Sequence, residues 1–143
     1  MEDHKIFLAK IDELPEMLSW IRKKAKSKDF AFDDIKKIEI AMEEVIINII
    51  HHAYKNISGR IHLSVLFFSN RIEITVKDKG PPFNPLEVKK EKKSFNVLEE
   101  TKEGGMGIFI FRHCMDDFSY RRWESYNILT MIKYKKKQDS RSL

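Results

Sequence analysis

The spacing of apolar and polar positions divides this chain into predicted elements. The opening stretch HKIFLAKI, with Ile6, Leu8 and Ile11, predicts a strand. Leu14, Met17, Leu18, Ile21 and Ala25 then recur at helical spacing, and Arg22, Lys23, Lys24, Lys26 and Lys28 crowd the last turns of the helix they predict, where its dipole favours cations. A second helix runs to about Tyr54, capped by Asp33 or Asp34, whose carboxylates can accept the free amide protons of the first turn. Ile61, Leu63, Val65 and Phe67 alternate with His62, Ser64 and Leu66, and after Ser69-Asn70 the pattern resumes as Ile72, Ile74 and Val76, which predicts a hairpin. From Gly80 to Gly107 the chain turns to proline, glycine and mixed charge, with five lysines and five glutamates between Glu87 and Glu103. That composition predicts a long mobile loop, usually functional in a compact domain. A short apolar helix, Ile108 to Cys114, leads to closing strands around Phe118 to Trp123 and Tyr126 to Tyr134.

The order β-α-α-β-β-loop-α-β-β fits a two-layer α/β sandwich with a mixed, mainly antiparallel sheet and helices on one face. A chain of 143 residues, 42% of them hydrophobic, can bury the core of one domain. The formal net charge is +5, but Lys133, Lys135, Lys136, Lys137 and Arg141 against Asp139 place +4 of it (5 − 1) after residue 132. The expected division is therefore a domain over residues 1–135 and a basic, disordered tail over 136–143. That tail region has one aromatic, Tyr134, and lacks the interleaved rings of a single-strand nucleic-acid platform. Cys114 is the sole cysteine, expected as a buried thiol in a reducing compartment, and no intrachain disulfide is possible. No apolar run reaches the roughly 18 residues of a membrane span. The first residues do not resemble a secretory signal, so a cytoplasmic location is expected, with no direct contact to nucleic acid or membrane.

Three stretches carry candidate chemistry. In the second helix the run Val45 to Ile50 is apolar except for Asn48, with Glu44 four residues before it and His52 four after, so the three project from one stripe. A carboxylate and an amide there can position magnesium, which takes oxygen ligands; a solvated polar face is the plainer alternative, and Glu43 is assigned to it. At the end of the hairpin stands Asp78-Lys79-Gly80-Pro81-Pro82-Phe83. A strand-end carboxylate can accept a hydrogen bond from an exocyclic amine, and Gly80 lets a flat base approach the backbone. The third stretch, Gly104-Gly105-Met106-Gly107, opens the short helix and offers amide protons to phosphate oxygens, with Lys102 adding a point charge. Each stretch alone is equally an ordinary turn or surface.

Their order, E-x-x-x-N on a helix, then D-x-G-x-P-F after a strand, then G-G-M-G before a helix, resembles the Bergerat-fold ATPases, the superfamily of gyrase, the heat-shock chaperone ATPase, histidine kinases and mismatch-repair ATPases. Within it the chain is most similar to the stand-alone anti-sigma-factor serine-protein kinases of bacterial partner-switching systems. The likeness spans nearly the whole chain, including AMEEVIINIIHHAY, DKGPPF, KEGGMGIFIFRHCMDDFSY and LTMIKY. The resemblance implies that Asn48 holds Mg2+ and that Glu44 activates the attacking hydroxyl. It implies adenine recognition by Asp78 with Gly80 beside the ring, phosphate contacts from Gly105, Met106 and Gly107, and His52 either near the phosphates or packed structurally. Lys102 stands where many members have arginine, which keeps the charge and loses the bidentate fork. The last strand offers Asn127, Ile128 and Thr130 in place of the glycine-threonine-threonine of many relatives. By the same resemblance the chain is an ATP-dependent (ATP or ADP, Mg2+) serine/threonine kinase and anti-sigma factor, with a sigma factor and an antagonist protein as partners and a homodimer as the assembly. The rival readings are an ATP-binding regulator that sequesters a partner without kinase activity, and a nucleic-acid module built on the basic tail. A histidine kinase would need an added dimerisation helix carrying its phosphoacceptor; His51, His62 and His113 are read as structural or solvated.

Overall fold

The computed structural model describes residues 2–54, 58–84 and 113–136. Residues 85–112, which hold most of the expected loop and short helix, and those from 137 onward lie outside the described residues, so the 1–135/136–143 division is not tested by it.

The elements in chain order are β1 (Glu2–Leu8), a 3-10 turn (Ile11–Glu13), α1 (Leu14–Ser27), α2 (Phe32–His52), β2 (Arg60–Phe68), β3 (Arg71–Asp78), β4 (Asp117–Trp123) and β5 (Tyr126–Tyr134). The strands form one sheet in the order β1-β2-β3-β5-β4, and every pairing is antiparallel. Strand alternation sends Leu63, Val65, Ile74, Val76, Leu129 and Met131 to one face, where register sets them side by side. All six are buried, and both helices pack on that face. The expected two-layer sandwich is what forms.

Helix α1 begins with Pro15 in its first turn, where a missing amide proton leaves nothing unbonded. Its buried Met17, Ile21 and Ala25 recur every four residues. Asp29, with φ 65° in the left-handed region, turns the chain toward α2. A two-point pair from Arg22 to Glu39, 2.9 and 3.3 Å, then ties the helices together and holds the guanidinium pKa above its ordinary value.

Two local expectations change. The N-cap of α2 is Ala31, with no side-chain cap; Asp33 and Asp34 fall inside the first turn, and Asp34 is buried with Oδ2 unbonded among the described residues. In β1 the core-facing residue is Phe7, while Ile6 and Leu8 point to the open face. Lys133, in the expected last strand, is buried in β5 and donates to the Cys114 carbonyl oxygen at 2.8 Å. Cys114 is buried as expected, and burial pushes its thiol pKa up.

Candidate nucleotide site

A pocket opens between α2 and the ends of β3 and β5. Val45 and Ile49 from the helix, with Val76 and Leu129 from the sheet, form an apolar floor. Asn48, Asp78 and Asn127 supply its polar groups, and Phe83 and Tyr120 close its rim. The free volume is about 20 Å³, room for about one water molecule.

Asp78, the last residue of β3, is 4% exposed. Its Oδ1 accepts from the Gly80 amide at 2.8 Å and from Asn127 Nδ2 at 3.0 Å. No described donor reaches Oδ2, so the pocket offers one unused acceptor in apolar surroundings. Burial raises the Asp78 pKa, and the hydrogen bonds from Asn127 and Gly80 and the charge of Arg122 work against that rise. An acceptor so placed favours an amine over a carbonyl at the edge of a bound base, because the amine completes its hydrogen bonding and a carbonyl leaves it unpaired.

Asn127 faces Asp78 directly in the β3–β5 register. Its Nδ2 also reaches Pro81 O at 2.9 Å and Gly80 O at 3.4 Å, while its Oδ1 accepts from the Tyr120 hydroxyl at 2.5 Å and the Phe83 amide at 3.2 Å. Arg122 adds a bond to Gly80 O at 2.7 Å. One amide side chain thus fixes Asp78, the 80–83 turn and strand β4 relative to one another. Gly80 is required by the fold: a Cβ there would lie 2.2 Å from the Ala53 Cβ and 2.7 Å from its Cα.

The stripe on α2 forms as the spacing predicts. Asn48 lines the pocket, and its Nδ2 is buried without a partner among the described residues. Glu44 stands one turn earlier, half-buried and outside the cavity lining; desolvation first, then the charge of Glu43, raises its pKa. His52, one turn later, stacks on the Phe83 ring at 4.8 Å and 18°. Among the described residues no group of three His, Cys, Asp or Glu could hold a metal. An amide oxygen with a carboxylate one turn away fits a magnesium ion that takes its other ligands from phosphate and water. Lys102, Gly105, Met106 and Gly107 lie outside the described residues. The sequence reading assigned no role to Phe83, Tyr120 or Arg122; the signal for Asn127 was present, a polar residue in the inward series Asn127, Leu129, Met131.

Helices on one face of an antiparallel sheet are the architecture of the histidine kinase-like ATPase domains. The histidine kinase-like ATPase domain family matches residues 7–133, and the chain belongs to that family. It is 34% identical over 108 residues to the serine-protein kinase RsbW of Bacillus thuringiensis (strain Al Hakam), covering 73% of this chain and 67% of that one. It is 35% identical over 117 residues to the serine-protein kinase RsbW of Staphylococcus epidermidis, covering 78% and 73%. Among solved structures it is similar to the RsbU and RsbW domains of Rv1364c from Mycobacterium tuberculosis, with TM-score 0.67, 14% identity and coverage of 96% of this chain and 33% of that one. It also resembles the catalytic domain of the histidine kinase ThkA, with TM-score 0.56, 15% identity and coverage of 93% and 97%. At these identities the structural likenesses speak to the fold alone.

Proposed function

We propose that this protein is a cytoplasmic Mg-ATP-dependent serine/threonine protein kinase and anti-sigma factor, which phosphorylates an antagonist protein in a partner-switching system and works as a homodimer. The observation that carries the reading is the placement of Asp78 and Asn48 in one pocket, with the Glu44 carboxyl, its pKa raised, one turn along the same helix. Similarity to serine-protein kinases named RsbW supports it.

In this mechanism Asp78 Oδ2 accepts the exocyclic amine of adenine, and Val76, Leu129 and Phe83 enclose the ring. Glu44 takes the proton from a serine or threonine hydroxyl as that oxygen bonds to the γ-phosphorus and the bond to the β-phosphate oxygen breaks, which releases ADP. The Asn48 amide oxygen would hold magnesium, which would offset phosphate charge when bound. Lys102 and the amides of Gly105, Met106 and Gly107 hold the phosphates, so that ATP and ADP present different surfaces to the partners.

The test is transfer of labelled phosphate from ATP to candidate antagonist proteins by the parent and by Glu44→Gln. Removing a general base lowers transfer by about 10²–10⁴-fold, and ATP affinity measured alongside separates lost chemistry from lost binding. A base acts only when deprotonated, so the parent rate rises with pH through the Glu44 pKa, above the ordinary glutamate value of 4.5, and Glu44→Gln flattens that limb. Transfer that survives the substitution unchanged overturns the mechanism and leaves the ATP-binding regulator.

A further inference from the structure

The open face of the sheet carries a second hollow at the same strand ends. Strand alternation sends Asp78 inward and its neighbours Lys77 and Lys79 outward, where Ile6 and His62 sit beside Lys77 in the register. The hollow, about 480 Å³, is lined chiefly by Ile6, Tyr54, Arg60, His62, Lys79 and Tyr126, within the volume range of small-molecule sites. Rings form its walls: His62 meets Tyr126 edge-on at 6.0 Å and His4 at 5.6 Å. The ammonium groups of Lys77 and Lys79 stand 4.5 and 5.3 Å from the Tyr126 ring centroid.

The charge there has one sign. Arg60, Lys77 and Lys79 form no ion pair among the described residues, whose pairs involve other cations. Of the acidic groups nearby, Asp78 faces the opposite side and Glu73 is engaged by Arg71 at 2.9 Å. Partial burial first, then the positive charge of His4, Lys77, Lys79 and Arg60, holds the His62 pKa below its ordinary value. The Tyr54 hydroxyl ties two edges of the hollow together, donating to the Arg60 carbonyl at 3.0 Å and accepting from the Lys79 amide at 2.7 Å. Gly59 seals that wall, since a Cβ there would lie 2.1 Å from the Tyr54 ring. Cations gathered at one hollow with no ion pair among the described residues attract an anion to it.

We propose that this hollow binds a small phosphate-bearing anion, with Arg60 and Lys79 on the phosphate oxygens and the Tyr126 and His62 rings beside it. Arginine offers a fork that matches two phosphate oxygens, and lysine a point charge. The site is separate from the nucleotide pocket and does not depend on kinase activity.

Pyrophosphate is the probe, with inorganic phosphate and ADP as further arms to tell a free from a nucleotide-borne phosphate and sodium chloride matching ionic strength. The readout is the NMR titration of each histidine ring in the full chain. Pyrophosphate at up to about 10 mM is expected to raise the His62 pKa by about one unit, saturably, because an anion within hydrogen-bond range favours the imidazolium. Arg60→Gln and Lys79→Gln are each expected to weaken binding about fivefold or more, and the double variant to abolish it; Asp78→Asn leaves it intact. A His62 titration that pyrophosphate does not move beyond the salt control overturns the proposal, as does a shift that survives in the double variant. A shift produced by ADP alone and lost in Asp78→Asn comes from the nucleotide pocket and overturns it equally.

Discussion

Asn127→Ala tests whether one side chain holds the Asp78 end of the pocket together. The residue is 5% exposed and joins Asp78, Pro81, Phe83 and Tyr120. Its bond to the Asp78 carboxylate is charge-assisted, worth about 1.5–3 kcal/mol, and each neutral bond contributes about 0.5–1.5 kcal/mol. Truncation leaves the Phe83 amide and Pro81 carbonyl without their partner, and water entering the gap offsets part of the loss, so the net is about 3 kcal/mol. At 143 residues each kcal/mol moves Tm by about 3 °C, a fall of about 10 °C. The deficit also depends on pH. Asn127 lowers a carboxyl pKa that burial has raised, so its removal lifts the folded value further. A carboxyl with a raised folded pKa contributes no penalty below the unfolded value, a growing one between the unfolded and folded values, and a constant one above. The variant's deficit therefore widens as pH rises from the parent's folded value to its own, higher one, and is constant above that. Thermal melts by circular dichroism at two pH values, with calorimetric ATP titration, measure both effects; ATP binding weakens about tenfold or more, because Asp78 and the 80–83 turn lose their common anchor. A Tm lowered by less than about 3 °C at both pH values, with ATP affinity unchanged, refutes the reasoning.

Gly80→Ala forces a Cβ against the Ala53 backbone at 2.7 Å and is expected to destabilise by about 1–3 kcal/mol. Adding Ala53→Gly relieves the side-chain part of the clash, and a double-mutant cycle by urea unfolding should show that coupling; strict additivity contradicts the packing account. Lys133→Met keeps the stem of a buried side chain but leaves the Cys114 carbonyl without its donor, so thermal melts should show a loss of about 1–3 kcal/mol, whereas a solvated tail lysine would show none.

The body of the fold was legible because its period is unambiguous. Ile61, Leu63 and Val65 alternate on β2 and Met17, Ile21 and Ala25 repeat on α1, so pattern and burial agree. The start of α2 was misread because a local capping rule sees two aspartates and cannot see that tertiary packing buries Asp34. Lys133 lies in the strand the pattern predicts, and its burial there could not be read from its charge: the β5 alternation places it inside, with Asp116 Oδ1 at 3.7 Å as counter-charge. In the site, Glu44, Asn48 and His52 were readable because helical spacing fixes a stripe. Tyr120 and Arg122 were not, since each reaches its partner only through the β4–β5 register, and no sequence pattern on an exposed edge strand reports that register.

The end of β3 serves both sides of the sheet because consecutive side chains leave a strand in opposite directions. One extra residue between Arg71 and Val76 would carry Lys77 into the slot now held by Asp78 and turn Asp78 toward the cationic hollow. The buried acceptor of the pocket would become a donor, and the hollow would gain an internal counter-ion. A single insertion would thus reverse the polarity of two sites while leaving the composition of the strand almost untouched.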